Sequence, residues 1–370
     1  MITSWFRDVV TTRHDYARSW KDRTGGKVVG YLCTYVPEEI IYAGGMLPVR
    51  LLGSHQPQDV SERHIPSMYC SFCRDVLAQG LLSRYDYLDG LVFANSCLHI
   101  RQVFEVWQWQ LRPSFSHYLY MPDALDSPGV VECWEAELQK FKRSLEAWTG
   151  SVITTDALAH SIGTYNENRR LLKELYELRR GSPPLGGKEA MEIVLSSMLV
   201  DKQEHNLALR SRLQELKHST PPSDDRPRLM LVGSENDDTE VVEAIESLGA
   251  VVVIDDHCTG SRYFWNEAAE VGDPVRVIAE RYIARPRCPV KDGGERRRVE
   301  HVAGLAREYR ASGAIMLLEK FCHPHEWDAP TIEKGLKDVG VPTLILEVDV
   351  TVPRGQIRTR VEAFLEMISP

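Results

Sequence analysis

Short apolar runs rich in Val, Ile, Leu and Tyr recur along this chain, separated by longer stretches in which apolar residues return every three or four positions. These are the patterns of buried strands and of helices with one buried face. The first run, KVVGYLC over 27–33, stops before Pro37, and PEEIIYAGG then opens a helix with a proline and two acids and closes it with glycine. LPVRLLG reads as a second strand, CRDVLAQGLLSRY as a helix, YLDGLVFAN as a third strand, HIRQVFEVWQWQ as a helix and HYLYMP as a fourth strand. Strands that alternate with helices need right-handed crossovers, which place the strands parallel and cover both faces of the sheet.

After a helical segment over 1–25, an N-terminal α/β domain is therefore expected over 26–150. Residues 151–225 read as a helical section and linker, interrupted at GSPPLGG and running into PPSDDRPR at 221–228. The alternation restarts over 226–370 with the strands LMLVGS, AVVVIDD, AIMLLEKF and VPTLILEVD. The helical patterns TEVVEAIESLG, VEHVAGLAREYRASG, TIEKGLKDVG and QIRTRVEAFLEMI follow them in turn. The expected fold class is α/β, with two Rossmann- or flavodoxin-like parallel-sheet domains and a helical section between them.

Charge and composition narrow the function only a little. The chain is 43% hydrophobic and carries a formal charge of −9, which argues against a general nucleic-acid surface. No apolar run approaches a membrane span, and MITSWFRDVVTTRHDY lacks the apolar core of a signal peptide, so a cytoplasmic protein with no membrane partner is expected. In that compartment eight cysteines do not make a disulfide framework, which leaves metal binding, catalysis or plain burial.

Where the cysteines fall on the strand map is more informative. Cys33 ends the first strand, Cys70 and Cys73 open a helix, Cys97 follows the third strand, and Cys322 follows AIMLLEKF. In open parallel sheets the ligand crevice lies beyond the carboxyl ends of the strands. A helix amino end also favours thiolate over thiol. The CxxC at 70–73 fits zinc or a thiol redox site, although it lacks the second CxxC that zinc commonly uses. Three scattered thiols with one open position would suit an iron–sulfur cluster. Cys133 sits in an amphipathic helix, and Cys258 and Cys288 lie in irregular segments; these three read as ordinary buried or surface thiols.

Five blocks, in order, carry a resemblance: GYLCTYVPEEIIYAGGMLPVRL, MYCSFCRD, YDYLDGLVFANSCLHIRQVFEVW, LLEKFCHPHEW and VPTLILEVDVTVPRGQIRTRVEAFLEMI. Together they resemble the benzoyl-CoA reductase and 2-hydroxyacyl-CoA dehydratase subunit family across nearly the whole chain. MYCSFCRD and NSCLHIRQ look most like the C-type subunit of ATP-dependent benzoyl-CoA reductase. The resemblance implies a [4Fe-4S] cluster held by Cys70, Cys97 and Cys322, with Cys73 a neighbouring thiol or alternative ligand. Dehydratases of the family usually carry an acid directly after the second ligand, where this chain has Leu98, and that departure favours ring reduction.

The function implied is an electron-carrying subunit of an oxygen-sensitive aromatic acyl-CoA reductase. Its partners would be a homologous B-type subunit, ATP-hydrolysing activator subunits and a ferredoxin donor. No GxxxxGK[ST] occurs, so ATP is expected to be hydrolysed elsewhere, and no GxGxxG follows a strand to bind a nicotinamide. The alternatives are a 2-hydroxyacyl-CoA dehydratase subunit, which is a radical lyase, or a non-catalytic metal-stabilised scaffold. His99 and His323 are candidate proton donors beside the ligand cysteines, and His325 is a third histidine in the same position. Arg74 and Arg101 are candidates for meeting an acidic thioester tail, and Glu38 and Glu39 read as acids at a helix start. Trp107 and Trp109 read as packing, with one of the pair pointing away from the helix face used by the other.

Overall fold

The computed structural model describes residues 2–219, 225–294, 296–352 and 354–369. Its frame is two four-stranded sheets, every pairing of which is parallel. The first contains β1 (Val28–Leu32), β2 (Leu47–Arg50), β3 (Gly90–Ala94) and β4 (Phe115–Leu119) in the order β2-β1-β3-β4. The second contains β5 (Arg228–Gly233), β6 (Val251–Asp256), β7 (Gly313–Glu319) and β8 (Thr343–Val348) in the order β6-β5-β7-β8. Strands β1, β2 and β3 are buried at every residue, as continuous apolar runs covered on both faces should be.

The strands and most helices form where the apolar pattern puts them. The fourth strand begins earlier than HYLYMP, at Phe115, and the helix expected over TIEKGLKDVG begins already at His323. Pro324 is tolerated in its first turn, where its missing N–H has no intrahelical partner to lose. Pro330 lies inside this helix, although an interior proline ordinarily argues against one. The short helix Ser261–Phe264 and the helix Pro274–Ala284 carry no strong pattern and go beyond the sequence expectation. Four residues of the linker expected at 221–228 lie outside the described residues.

Both sheets reverse direction beside their first strand, between β1 and β3 and between β5 and β7. Such switch points leave a crevice at the strand carboxyl ends. Gly233 ends β5 at a close approach, since a Cβ there would lie 2.5 Å from the Leu317 carbonyl oxygen. The two crevices are held together by polar contacts between sequence-distant segments. Arg50 pairs with Glu235, Arg74 with Asp349, and Ser71 Oγ donates to Glu319. Glu39, read from sequence as a helix-start acid, is instead fully buried against Arg169 and accepts from the Tyr282 hydroxyl at 3.0 Å. Glu38 is buried too and accepts from the Tyr263 hydroxyl at 3.2 Å.

A further clasp joins His55 Nε2 to Asp237 Oδ1 at 2.8 Å, while the Gly53 N–H donates to Asp237 Oδ2 at 2.6 Å. Burial opposes charge on His55, but the Asp237 carboxylate outweighs it and lifts the imidazole to about 10. Burial likewise opposes charge on Asp237, and His55 outweighs it, leaving that carboxyl below its ordinary value. The raised histidine contributes stability that is complete below its unfolded value of about 6.5 and is lost as pH rises through about 10. The lowered aspartate contributes above its unfolded value of 3.8 and loses that contribution as pH falls. His55→Ala is therefore expected to cost about 1–3 kcal/mol near pH 6 and progressively less towards pH 10, read from denaturant midpoints. A cost independent of pH would contradict the pairing.

Candidate metal centre

The loops that leave the strand carboxyl ends of both sheets enclose one cavity, with about 550 Å³ of space unfilled by protein atoms, part of it open to solvent. Cys70, Cys73, Cys97 and Cys322 all line it. Cys70 interacts with Cys322 and Cys73, and Cys73 with Cys97. The three cysteines implied as ligands share a local geometry: Cys70 precedes the helix Ser71–Leu81, Cys97 the helix Leu98–Leu111, and Cys322 the helix His323–Asp338. Each is the N-cap residue, and none makes a side-chain capping hydrogen bond. Elsewhere Thr154, Asp201, Asp238 and Asp273 do cap their helices. The first-turn N–H groups and positive dipole ends of three helices therefore face the cavity region, an arrangement that favours negative charge.

Cys70, Cys73 and Cys322 are held protonated in this cavity. For Cys70 the contact with Cys322 favours the thiolate, but the contact with Cys73 and burial outweigh it and push the thiol well above its ordinary value. Cys73 follows the same balance, with the Cys70 contact opposed by Cys97 and burial. Cys322 is raised by its contact with Cys70 and then by burial.

The cavity also contains what the sequence pattern does not reveal. Cys258 and Cys288, expected to be unpartnered thiols, line the same wall, and so does Cys33. Seven of the eight cysteines thus face one space, and Cys133 alone is exposed elsewhere. No local signal marks this, because Cys258 follows β6 and Cys288 precedes the short 3-10 turn Pro289–Lys291, and only tertiary folding brings them to the first sheet. Phe72, Ile100, Pro289 and Val290 fill the gaps between thiols with apolar surface. Among the described residues, no group of three or more His, Cys, Asp or Glu side chains is gathered closely enough to hold a metal ion. A single zinc draws its sulfurs to within about 2.3 Å of one point, whereas a cluster binds each thiolate through a different iron.

Beside this cavity, and sharing Ser96, Cys97 and Pro324 with it, opens a wider pocket of about 1510 Å³ in the same measure. His99 and His323 line it, with ring centroids 5.2 Å apart, and Tyr69 stacks on His99 at 4.3 Å. The Cys70 N–H donates to His99 Nδ1 at 3.1 Å, which places the proton of the neutral ring on Nε2. Burial, and then repulsion from His323, lowers the His99 pKa, so the ring is neutral at pH 7. His325 is buried on the inner cavity, and burial holds it far below the ordinary histidine value.

The arginines fall outside these pockets. Arg74 is held by the Tyr69 carbonyl and Asp349, and Arg101 pairs with Glu105 on the helix surface. Trp107 is buried and Trp109 is exposed.

Comparison with known proteins supplies the family to which this geometry belongs. A family model described as 2-hydroxyglutaryl-CoA dehydratase, D-component, matches residues 33–368, and the chain belongs to that family. It is 26% identical over 365 residues to the (R)-phenyllactyl-CoA dehydratase beta subunit of Clostridium sporogenes, covering 98% of this chain and 97% of that one. It is 28% identical over 334 residues to the C-type subunit of benzoyl-CoA reductase from Thauera aromatica, covering 88% and 86%. The beta subunit of (R)-2-hydroxyglutaryl-CoA dehydratase from Acidaminococcus fermentans is 27% identical over 354 residues, covering 93% of each chain. The resemblance drawn from the five sequence blocks is thus borne out.

The differences in exposure are open to a chemical check. In metal-free protein, a brief pulse of iodoacetamide should label Cys133 well before Cys70 and Cys322, as followed by peptide mass spectrometry. Equal labelling of Cys70 and Cys133 would mean that the cavity is not closed.

Proposed function

We propose that this chain is the iron–sulfur subunit of an enzyme complex acting on acyl-CoA thioesters. A [4Fe-4S] cluster is held by Cys70, Cys97 and Cys322, and the reaction is the ATP-dependent reduction of an aromatic acyl-CoA such as benzoyl-CoA. The observation that carries this reading is the convergence of three uncapped N-cap cysteines on one cavity with apolar walls. The donor set fits the group, because thiolates are its ligands and helix amino ends offset its negative charge. Bound there, a cluster would supply the single low-potential electrons that dearomatising a ring needs and that side chains cannot provide.

The protein's own residues then bind, orient and protonate. Leu98, Val290 and Trp327 give the wider pocket an apolar lining suited to a planar ring. His99 presents a proton on Nε2 beside that pocket, and the Cys70 backbone and the Tyr69 ring fix its tautomer and plane. His323, its neighbour, is the second proton carrier. Each of the three relatives is named as a subunit, which supports a partner subunit for this chain. That the partner is a homologous B-type subunit, with separate ATP-hydrolysing activator subunits and a ferredoxin as upstream donor, belongs to the proposal through the resemblance of the sequence blocks. Met68, Leu98 and Trp327 are exposed, which supports a partner on that face. Among the described residues, no helix is long and apolar enough to cross a membrane, and a cytoplasmic site of action is part of the proposal.

The second reading, a 2-hydroxyacyl-CoA dehydratase subunit, is supported by the match to the phenyllactyl-CoA dehydratase beta subunit, which spans more of the chain than the reductase match. Leu98, in place of an acid after Cys97, supports reduction instead.

One preparation of the anaerobic complex distinguishes these readings. Electrons consumed in proportion to product are expected for reduction, whereas product formed with only catalytic amounts of reductant would place the chain in a dehydratase. Cys70→Ser, Cys97→Ser and Cys322→Ser should each sharply lower bound iron, and full iron in Cys97→Ser would remove that ligand assignment. Zinc in place of iron and sulfide would leave only the metal-stabilised scaffold. His99→Gln should keep its iron while turnover falls by roughly 10²–10⁴-fold, and unchanged turnover would exclude His99 as proton donor.

A further inference from the structure

Three of the seven cavity cysteines have no part in the cluster described above and are not its immediate neighbours. Cys33, Cys258 and Cys288 come from three separate segments, the end of β1, the loop after β6 and the turn before Pro289. Yet they lie within electrostatic reach of one another on one stretch of the wall. Buried cysteine is often a small hydrophobe, and that reading has to be weighed against what surrounds these three.

Two features oppose it. Cys33 has a backbone φ of 76°, in the left-handed region that favours glycine, and holding a non-glycine residue there costs on the order of 1–3 kcal/mol. An apolar filler gives no reason to keep a side chain at such a position. In addition, the surroundings are cationic. Arg262 donates to Cys258 Sγ at 3.2 Å, and Arg50 lies within electrostatic reach of both Cys33 and Cys258. Both guanidinium groups are almost completely buried. Arg50 gives one nitrogen to Glu235, while its Nε and Nη1 have no hydrogen-bond partner among the described residues. Glu235 itself lines the cavity, more than nine-tenths buried, and its Oε2 is likewise unpartnered. Buried polar atoms left without partners are costly, and here they cluster around thiols.

The geometry points to Cys33, Cys258 and Cys288 as a second ligand set, which holds a further iron–sulfur unit beside the cluster at Cys70, Cys97 and Cys322, so that one chain carries two clusters in one cavity. The inference rests on the iron–sulfur reading of the first set. Each thiol gives up its proton on binding iron, and the negative charge gathered there is met by Arg50 and Arg262, two buried cations already in place. Cys73, in contact with Cys70 and Cys97, belongs to the first set and is not needed for the second. A subunit with two adjoining clusters would store more than one electron close to the wider pocket.

The test is a metal count on the full chain, purified anaerobically and reconstituted with ferrous iron and sulfide. Wild type is expected to hold roughly twice the iron and acid-labile sulfide of one four-iron cluster. The triple variant Cys33→Ala, Cys258→Ala, Cys288→Ala should lose about half of both and keep the spectroscopic signal of the remaining cluster, and Cys133→Ser should lose none. The wild-type count decides the matter even if the triple variant does not fold. About four irons per wild-type chain would overturn the second set and leave the proposed function standing, as would a folded triple variant with undiminished iron. A wild-type chain that takes up neither iron nor sulfide would overturn both.

Discussion

Guanidinium and carboxylate groups sealed between the two sheets determine how the halves of this protein face each other, and the site depends on that alignment. Arg50 with Glu235 and Arg169 with Glu39 connect residues from the first sheet's surroundings to residues far away in sequence. Asp256, at the end of β6, is gripped by both Arg262 and Arg298. In each carboxylate, burial alone would raise the pKa, yet the facing arginines hold Glu39 and Asp256 at about 2. Buried pairs of this kind add little net stability over a well-packed apolar contact, but removing one partner costs about 3–5 kcal/mol. Their effect is on geometry, since sliding one sheet against the other would break Arg50–Glu235, His55–Asp237 and Arg74–Asp349 at once.

That rigidity supports helices which are not optimised for themselves. At four other helices the chain supplies Thr154, Asp201, Asp238 or Asp273 as a capping side chain. At the cavity it supplies Cys70, Cys97 and Cys322, none of which caps, at a typical cost of about 1 kcal/mol each.

Much of the frame was legible in the sequence because its signals are local. β1 and β3 are fully buried and read as unbroken apolar runs, and the parallel order followed from their alternation with helices. Cys70, Cys97 and Cys322 could be placed at strand-to-helix junctions for the same reason. What escaped depended on distant partners. The helix Pro274–Ala284 packs against Val130–Thr149, far back in the chain, and its own pattern is weak. Glu39 has the look of a helix-start acid until Arg169 and Tyr282 are seen around it. Cys258 and Cys288 have no neighbour in sequence to betray them, since what they share with Cys33 is a wall that exists only in the folded chain.

The composite origin of the cavity also sets a timetable. Cys97 emerges from the ribosome long before Cys322, and at about 5–20 residues per second the interval is roughly 10–45 s. During that time the nascent chain carries half a binding site, with thiols that have no enclosing wall and no arginine counter-charge from the later half. Under the proposed iron–sulfur reading, cluster loading would have to follow translation, and until then the first half would need protection from oxidants and stray metal ions.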